Sequence, residues 1–164
     1  MDRGTLIKLT VSQVMSHLNF CCMLYYGLPE YLLDKLQHVQ NCAARLITGV
    51  NKREHISPVI KELNWLNVRN FIKFRYAVNV YKCINGDMPP YLTNLLSFHL
   101  VQTHNLRSNE DFLLSVPKMN KKIGDRAFSH AGPVIWNMLP KDVKLSPNIV
   151  IFKRKLKTHF LTRQ

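Results

Sequence analysis

The chain has 164 residues and a mass of 19.1 kDa, enough for one domain or two small lobes around a real core. Hydrophobic residues make up 46% and charged residues 20%, which excludes both a chain too polar to collapse and one apolar enough throughout to live in a bilayer. Twenty-three Lys and Arg against ten Asp and Glu leave a net +13, a balance that favours polyanionic partners such as nucleic acid, or an anionic membrane surface.

In chain order, Leu9 to Pro29 is a run of 21 residues without a formal charge, about the length of a membrane span. Ser12, Gln13, Ser16, His17 and Asn19 interrupt it, and on a helix Val11, Val14, Met15, Leu18, Cys22 and Tyr25 share one face. That pattern predicts a half-buried helix rather than a span, closed by Gly27, Leu28 and Pro29. A second helix follows from near Pro29, with Leu32, Leu36, Val39, Ala43, Leu46 and Ile47 on one stripe and Gly49 as its stop. The two are expected to pair as an antiparallel hairpin.

Ser57-Pro58 places a capping hydroxyl before a proline suited to a first helical turn, and Val59, Ile60, Leu63 and Leu66 continue at helical spacing. From Arg69 to Ile84 apolar residues cover most of a helical circumference, predicting a central helix packed on several sides and closed by Gly86. Pro89 and Pro90 open a shorter helical segment through Leu92, Leu95 and Leu96, and Ser97 to Asp111 reads as a polar loop.

Phe112 to Val116 and Lys122 to Phe128 are short stretches around a Lys/Asn-rich turn that can pair as a small β-hairpin. Asp125 is a candidate cap for a turn at Arg126 to His130, and Gly132-Pro133 and Pro140 are expected to break the segment around Val134 to Trp136. The last helix opens at Ser146-Pro147 and carries Ile149, Phe152, Leu156 and Phe160 on one face, with Lys153, Arg154, Lys155 and Lys157 on the rest. The fold class expected is mainly α, a bundle-like part over residues 1–100 and a less regular basic extension over 101–164, the two possible as one continuous domain.

The charge is concentrated at the end. Residues 118–164 hold eleven basic and two acidic residues, a net of +9. Several cations on one amphipathic helix can each neutralise a phosphate and release counterions, so Lys153, Arg154, Lys155 and Lys157, with Lys121 and Lys122, are the candidate nucleic-acid-binding residues. A charged face also serves plain solvation, and Lys stems cover apolar surface. Phe152, Phe160, Tyr91 and Trp136 stand near these cations, but three of the four sit at core spacing or in apolar clusters, so packing is the expected role.

Cys21, Cys22, Cys42 and Cys83 lie within apolar helical stretches rather than in a loop framework, which points to reduced thiols inside a cell, nuclear or cytoplasmic, and no secretory signal is visible. His17/Cys21 and His38/Cys42 are both i,i+4 pairs that could converge on zinc if the first two helices pair. No Cys-x-x-Cys loop supports such a site, and small Cys in the core with His at its edge is the simpler reading. No nucleophile frame, phosphate-cradling loop or convergent carboxylate pair is present, so no catalytic residue and no cofactor is assigned.

Phrases spread over nearly the whole chain resemble, in family order, the C-terminal end of reverse transcriptases of non-LTR retrotransposons of the jockey and chicken-repeat type. They are SHLNFCCMLYYGLPEYLLDKLQHVQNCAARLITG (Ser16–Gly49), HISPVIKELNWLNVRNFIKF (His55–Phe74), YKCINGDMPPYL (Tyr81–Leu92), LRS (Leu106–Ser108), VPK (Val116–Lys118), GDRAFSHAGPVIWNMLP (Gly124–Pro140) and FKRKLKTHF (Phe152–Phe160). The chain departs from that pattern at Asn19, Cys22, Asn67 and Gly132, where Asp, Asn, Pro and Ala are frequent. His38 and Cys42 also stand where Arg and small residues are usual, which weakens the zinc reading.

The resemblance implies the helical thumb and the extension after it, which in that family help to hold a template-primer duplex. The palm and its Asp-Asp metal motif are not represented, so the resemblance carries no catalytic residue over. The expected function is therefore non-enzymatic, with weak, sequence-independent electrostatic binding of RNA–DNA or DNA duplex and no small-molecule substrate. The alternatives are a protein-interaction or self-associating module using an exposed apolar face, or a translated remnant without selected function.

Overall fold

Residues 2–97 and 112–163 are described in this computed structural model, and every regular element among them is helical apart from a single bridge at Leu114. Residues 98–111, which carry most of the predicted polar loop and the Leu106–Ser108 phrase, lie outside the described residues. No helix among the described residues is long and apolar enough to cross a membrane. The chain divides into two compact units, Met1–Ile72 with His159–Gln164, and Lys73–Thr158.

In the first unit the predicted opening helix is shorter and less regular than its periodicity suggests. Helix α1 (Arg3–Thr10), capped by the Asp2 carboxylate accepting from Gly4 N at 3.1 Å, runs through a π-helical stretch at Val11–Met15 into α2 (Ser16–Asn19). The hydroxyls of Ser12 and Ser16 bond back to the carbonyls of Leu9 and Ser12, a local competition that loosens a helical ladder. Phe20 is then extended and Cys21 is left-handed at φ 47°, so Cys22 and Tyr25 belong to a separate 3-10 turn and not to the face drawn for them.

Helix α3 (Glu30–Thr48) packs against α1, the π stretch and α4 (Ser57–Glu62). Its Gly49 cap is left-handed as expected and donates to Arg45 O at 2.8 Å. The buried arc, however, is Leu33, Gln40, Ala43, Ala44 and Ile47, whereas Val39 and Leu46 stand 45% and 62% exposed. The helix is rotated so that small Ala44 meets Val59 and Ile60, with Val50, Ile56, Leu63 and Trp65 around them. Helix α4 starts one residue from expectation, with Ile56 at the cap and Pro58 in the first turn.

Gln40, only 1% exposed, explains why a polar residue belongs on that arc. Its Nε2 donates to Leu66 O at 2.8 Å and its Oε1 accepts from Gln37 Nε2 at 2.9 Å, while Gln37 Oε1 accepts from Val68 N at 2.9 Å. Two glutamines one helical turn apart thus hold the link into α5 (Val68–Ile84). Asn67 caps α5 by accepting from Asn70 N at 2.8 Å, which gives a physical role to one of the departures noted above.

The second unit is built on the remainder of α5, where Tyr76, Ala77, Val78, Val80, Tyr81 and Cys83 are buried on several sides. After Gly86 (φ 78°), α6 (Pro90–Thr93) is a single turn rather than a helix reaching Leu96. The predicted hairpin is not formed. Residues 122–127 are turn and a 3-10 helix at Gly124–Arg126, and Leu114 pairs instead with the side chain of Asn137.

Helix α7 (Phe128–Asn137) runs unbroken through Gly132-Pro133, contrary to the expected break. A residue before proline is pushed from the helical region by contact with its own Cβ, and Gly132 has none. Its capping residue is Ala127, not Asp125, whose backbone carbonyl instead lies 3.2 Å from His130 Nδ1. A Cβ at Gly132 would lie 3.1 Å from Val80 Cγ2, so this glycine lets α7 approach α5 closely. Helices α8 (Lys141–Lys144) and α9 (Ile149–Thr162) complete the chain.

Candidate nucleic-acid interface

Helix α9 begins two residues later than Ser146-Pro147, at Ile149. The Asn148 carboxamide accepts from Ile151 N at 2.9 Å and is the cap, whereas Ser146 is buried, its hydroxyl donating to Val143 O at 2.7 Å and its carbonyl accepting from Tyr81 Oη at 2.7 Å. The predicted apolar face is real: Phe152 and Leu156 are fully buried and Phe160 nearly so. Phe152 stacks on Tyr81 with ring centroids 4.2 Å apart and lies 6.1 Å from Trp136. These contacts orient the helix and thereby its opposite side.

At 100° per residue, Lys153, Arg154 and Lys157 fall on one arc with Val150, which is 72% exposed. Lys153 and Arg154 are exposed and Lys157 is half-buried. Among the described residues none of the three takes part in an ion pair, so their charge is available to a polyanion. Lys155 lies on another arc and donates to Asp142 O at 2.9 Å, which ties α9 to the turn of α8. The four cations therefore divide into exposed Lys153 and Arg154 with half-buried Lys157 on the same arc, and Lys155, which braces the helix.

Lys121 and Lys122 are exposed in the turn before the 3-10 helix, in the same unit as residues 153–157 but on a different element. A further cation, Lys144, is buried, with Nζ 3.5 Å from Asn137 O at the C-terminal end of α7, where a positive charge complements the helix dipole. Of the aromatics considered for base stacking, Phe152, Phe160 and Trp136 are buried and only Tyr91 is exposed, at 69%. Trp136 Nε1 is also committed, donating to Phe112 O at 2.9 Å.

The zinc alternative fails on geometry. His38 Nε2 and Cys42 Sγ are 3.6 Å apart on α3, but Cys21 lies beyond the end of α2 in a left-handed conformation, so His17 and Cys21 do not form the helical pair the site requires. Among the described residues no group of three or more His, Cys, Asp or Glu converges to hold a metal.

These observations define a helical protein with a basic outward face on an amphipathic C-terminal helix. No family model matches the chain, and neither a curated protein nor a solved structure is detectably similar to it.

Proposed function

We propose that this chain is a non-catalytic nucleic-acid-binding module whose counterpart is the thumb and post-thumb region of a non-LTR retrotransposon reverse transcriptase. One observation supports the binding reading above others: Lys153, Arg154 and Lys157 share an arc of α9, free of ion pairs among the described residues, while Phe152 and Leu156 hold the opposite arc in the core. Cations presented this way on a rigid element contact successive phosphates without reading bases, so affinity is electrostatic and independent of sequence. Lys121 and Lys122 add two exposed cations in the same unit. The family part of the reading rests on the ordered phrases of the sequence.

Anisotropy of a labelled RNA–DNA duplex, titrated at several salt concentrations, tests it. Wild type should lose about an order of magnitude or more in affinity over a few-fold rise in salt. The triple charge reversal K153E/R154E/K157E should flatten the salt slope by about 2–3, whereas Lys155→Ala should leave it nearly intact. Equal binding by wild type and the triple variant, or salt-insensitive self-association without duplex binding, overturns the proposal.

A further inference from the structure

The first unit holds an open pocket of about 550 Å³ beside the C-terminal half of α3, lined by no residue of α9. His38, Cys42 and Arg45 line it from the helix, and Val50 and Lys52 line it from the chain that turns back after Gly49, with Leu46 as further apolar wall. No carboxylate lines it. Three side chains that are or can become cationic thus meet around a space large enough for a nucleotide, without an internal counter-charge.

Arg45 is the informative residue. Its Nη2 donates to Glu54 O at 3.0 Å, which fixes the guanidinium plane and holds the returning turn, while its Nη1 is closed off from water and has no hydrogen-bond partner. Nη1 is therefore as far out of a ligand's reach as out of water's, and Arg45 acts on the pocket through its fixed positive charge, which favours the oxygens of a phosphate. His38 Nε2 lies 3.6 Å from Cys42 Sγ, so the imidazole and an exposed thiol share the same wall.

We propose that this pocket binds the phosphate group of a nucleotide-sized ligand, with Arg45 as a fixed positive charge and Lys52 and His38 as its partners. This goes beyond the duplex-binding reading and does not depend on α9. The phosphate could belong to a free nucleotide or to a nucleic-acid strand, and the two are separable because only the first is a small diffusible ligand.

Cys42 supplies the readout. The full-length protein is labelled briefly with iodoacetamide, and modification of Cys42 is followed by mass spectrometry with exposed Cys21 as the internal reference. Inorganic phosphate, adenosine 5′-monophosphate, adenosine, and a short single strand lacking a terminal phosphate are compared at ionic strength matched with chloride. Saturable slowing of Cys42 by inorganic phosphate and by the monophosphate, with Cys21 unchanged, is expected. Slowing by the strand as well assigns the phosphate to a nucleic-acid backbone, and its absence assigns it to a free nucleotide.

Lys52→Ala, on an exposed turn where folding is not at stake, should weaken the phosphate effect at least about fivefold, the loss of one charge-assisted contact. Arg45→Gln, which keeps an amide donor for Glu54 O, should abolish it. Equal labelling of Cys42 in phosphate and chloride, equal protection by adenosine and its monophosphate, or undiminished protection in Lys52→Ala overturns the proposal. Duplex binding through α9 is measured separately, so either reading can fail alone.

Discussion

The side-chain amide of Asn137 pairs with Leu114 in both directions, its Oδ1 accepting from Leu114 N and its Nδ2 donating to Leu114 O, each at 2.9 Å. An amide at the end of α7 therefore does for Leu114 what a neighbouring strand would do, and the backbone at Leu114 needs no hairpin partner. Leu114 is 1% exposed, so these bonds satisfy backbone groups that water cannot reach.

Asn137→Ala should consequently destabilise the protein by about 2–3 kcal/mol, more than one hydrogen bond is worth, because it strands a buried donor and a buried acceptor together. Denaturant unfolding gives the magnitude, and hydrogen exchange should show Leu114 losing protection. Unchanged exchange at Leu114 would show that the pairing does not hold this segment.

Gly132→Val should cost about 1–3 kcal/mol through overpacking, since even a Cβ at Gly132 would stand 3.1 Å from Val80 Cγ2 and the residue also precedes Pro133. If the double variant Gly132→Val with Val80→Ala recovers part of that loss, the close approach of α7 to α5 is its cause. A loss of equal size with and without Val80→Ala would place it in the pre-proline backbone alone.

Gln40→Leu is predicted to lower stability by about 1–3 kcal/mol despite its greater hydrophobicity, because Leu66 O loses its buried donor. Arg69 provides the contrast. It bridges Glu30 and Asp34 at the surface, with Nε 2.7 Å from Glu30 and Nη2 2.6 Å from Asp34, and Arg69→Ala should cost only about 0.2–1 kcal/mol and less still in high salt. The Asp34 and Glu30 hydrogen bonds raise the Arg69 pKa, so its charge persists across the accessible pH range.

Burial raises the Cys83 thiol pKa above the ordinary range, against a smaller opposing effect of a hydrogen bond with Thr93. A pKa higher in the folded than in the unfolded state gives stability that is complete below the unfolded value, about 8.5, and is lost as pH rises through the folded one. Wild type should therefore lose more stability than Cys83→Ala between neutral pH and about pH 10, measured by denaturant unfolding at each pH. Parallel stability curves for the two proteins would exclude this contribution.

Much of the helical framework is legible in the sequence. Gly49 and Gly86 mark the ends of α3 and α5, the apolar density of residues 69–84 announces a helix buried on several sides, and the Phe152, Leu156 and Phe160 spacing identifies the core face of α9. These features are local, and glycine conformation and a 3.6-residue period act within one element. The caps at Asn67 and Asn148 are local signals too, each an Asn immediately before a helix, whereas Ser57 lies inside α4 and the Ser146 hydroxyl bonds to Val143 O.

The sequence by itself determined the helical class, the positive charge and its concentration after residue 117, and the residues able to share a stripe. Tertiary packing decided which arc of each stripe faces inward: α3 turned Ala44 and Gln40 to the core and left Leu46 outside, because the space beside Val59 and Ile60 admits a small residue and the Leu66 carbonyl needs a donor. Packing also separated Lys155, held by the Asp142 carbonyl, from Lys153, Arg154 and Lys157, and it brought His38, Arg45 and Lys52 around one pocket. Periodicity states only what can face the same way, whereas the partner that fills or satisfies a face comes from residues distant in the chain.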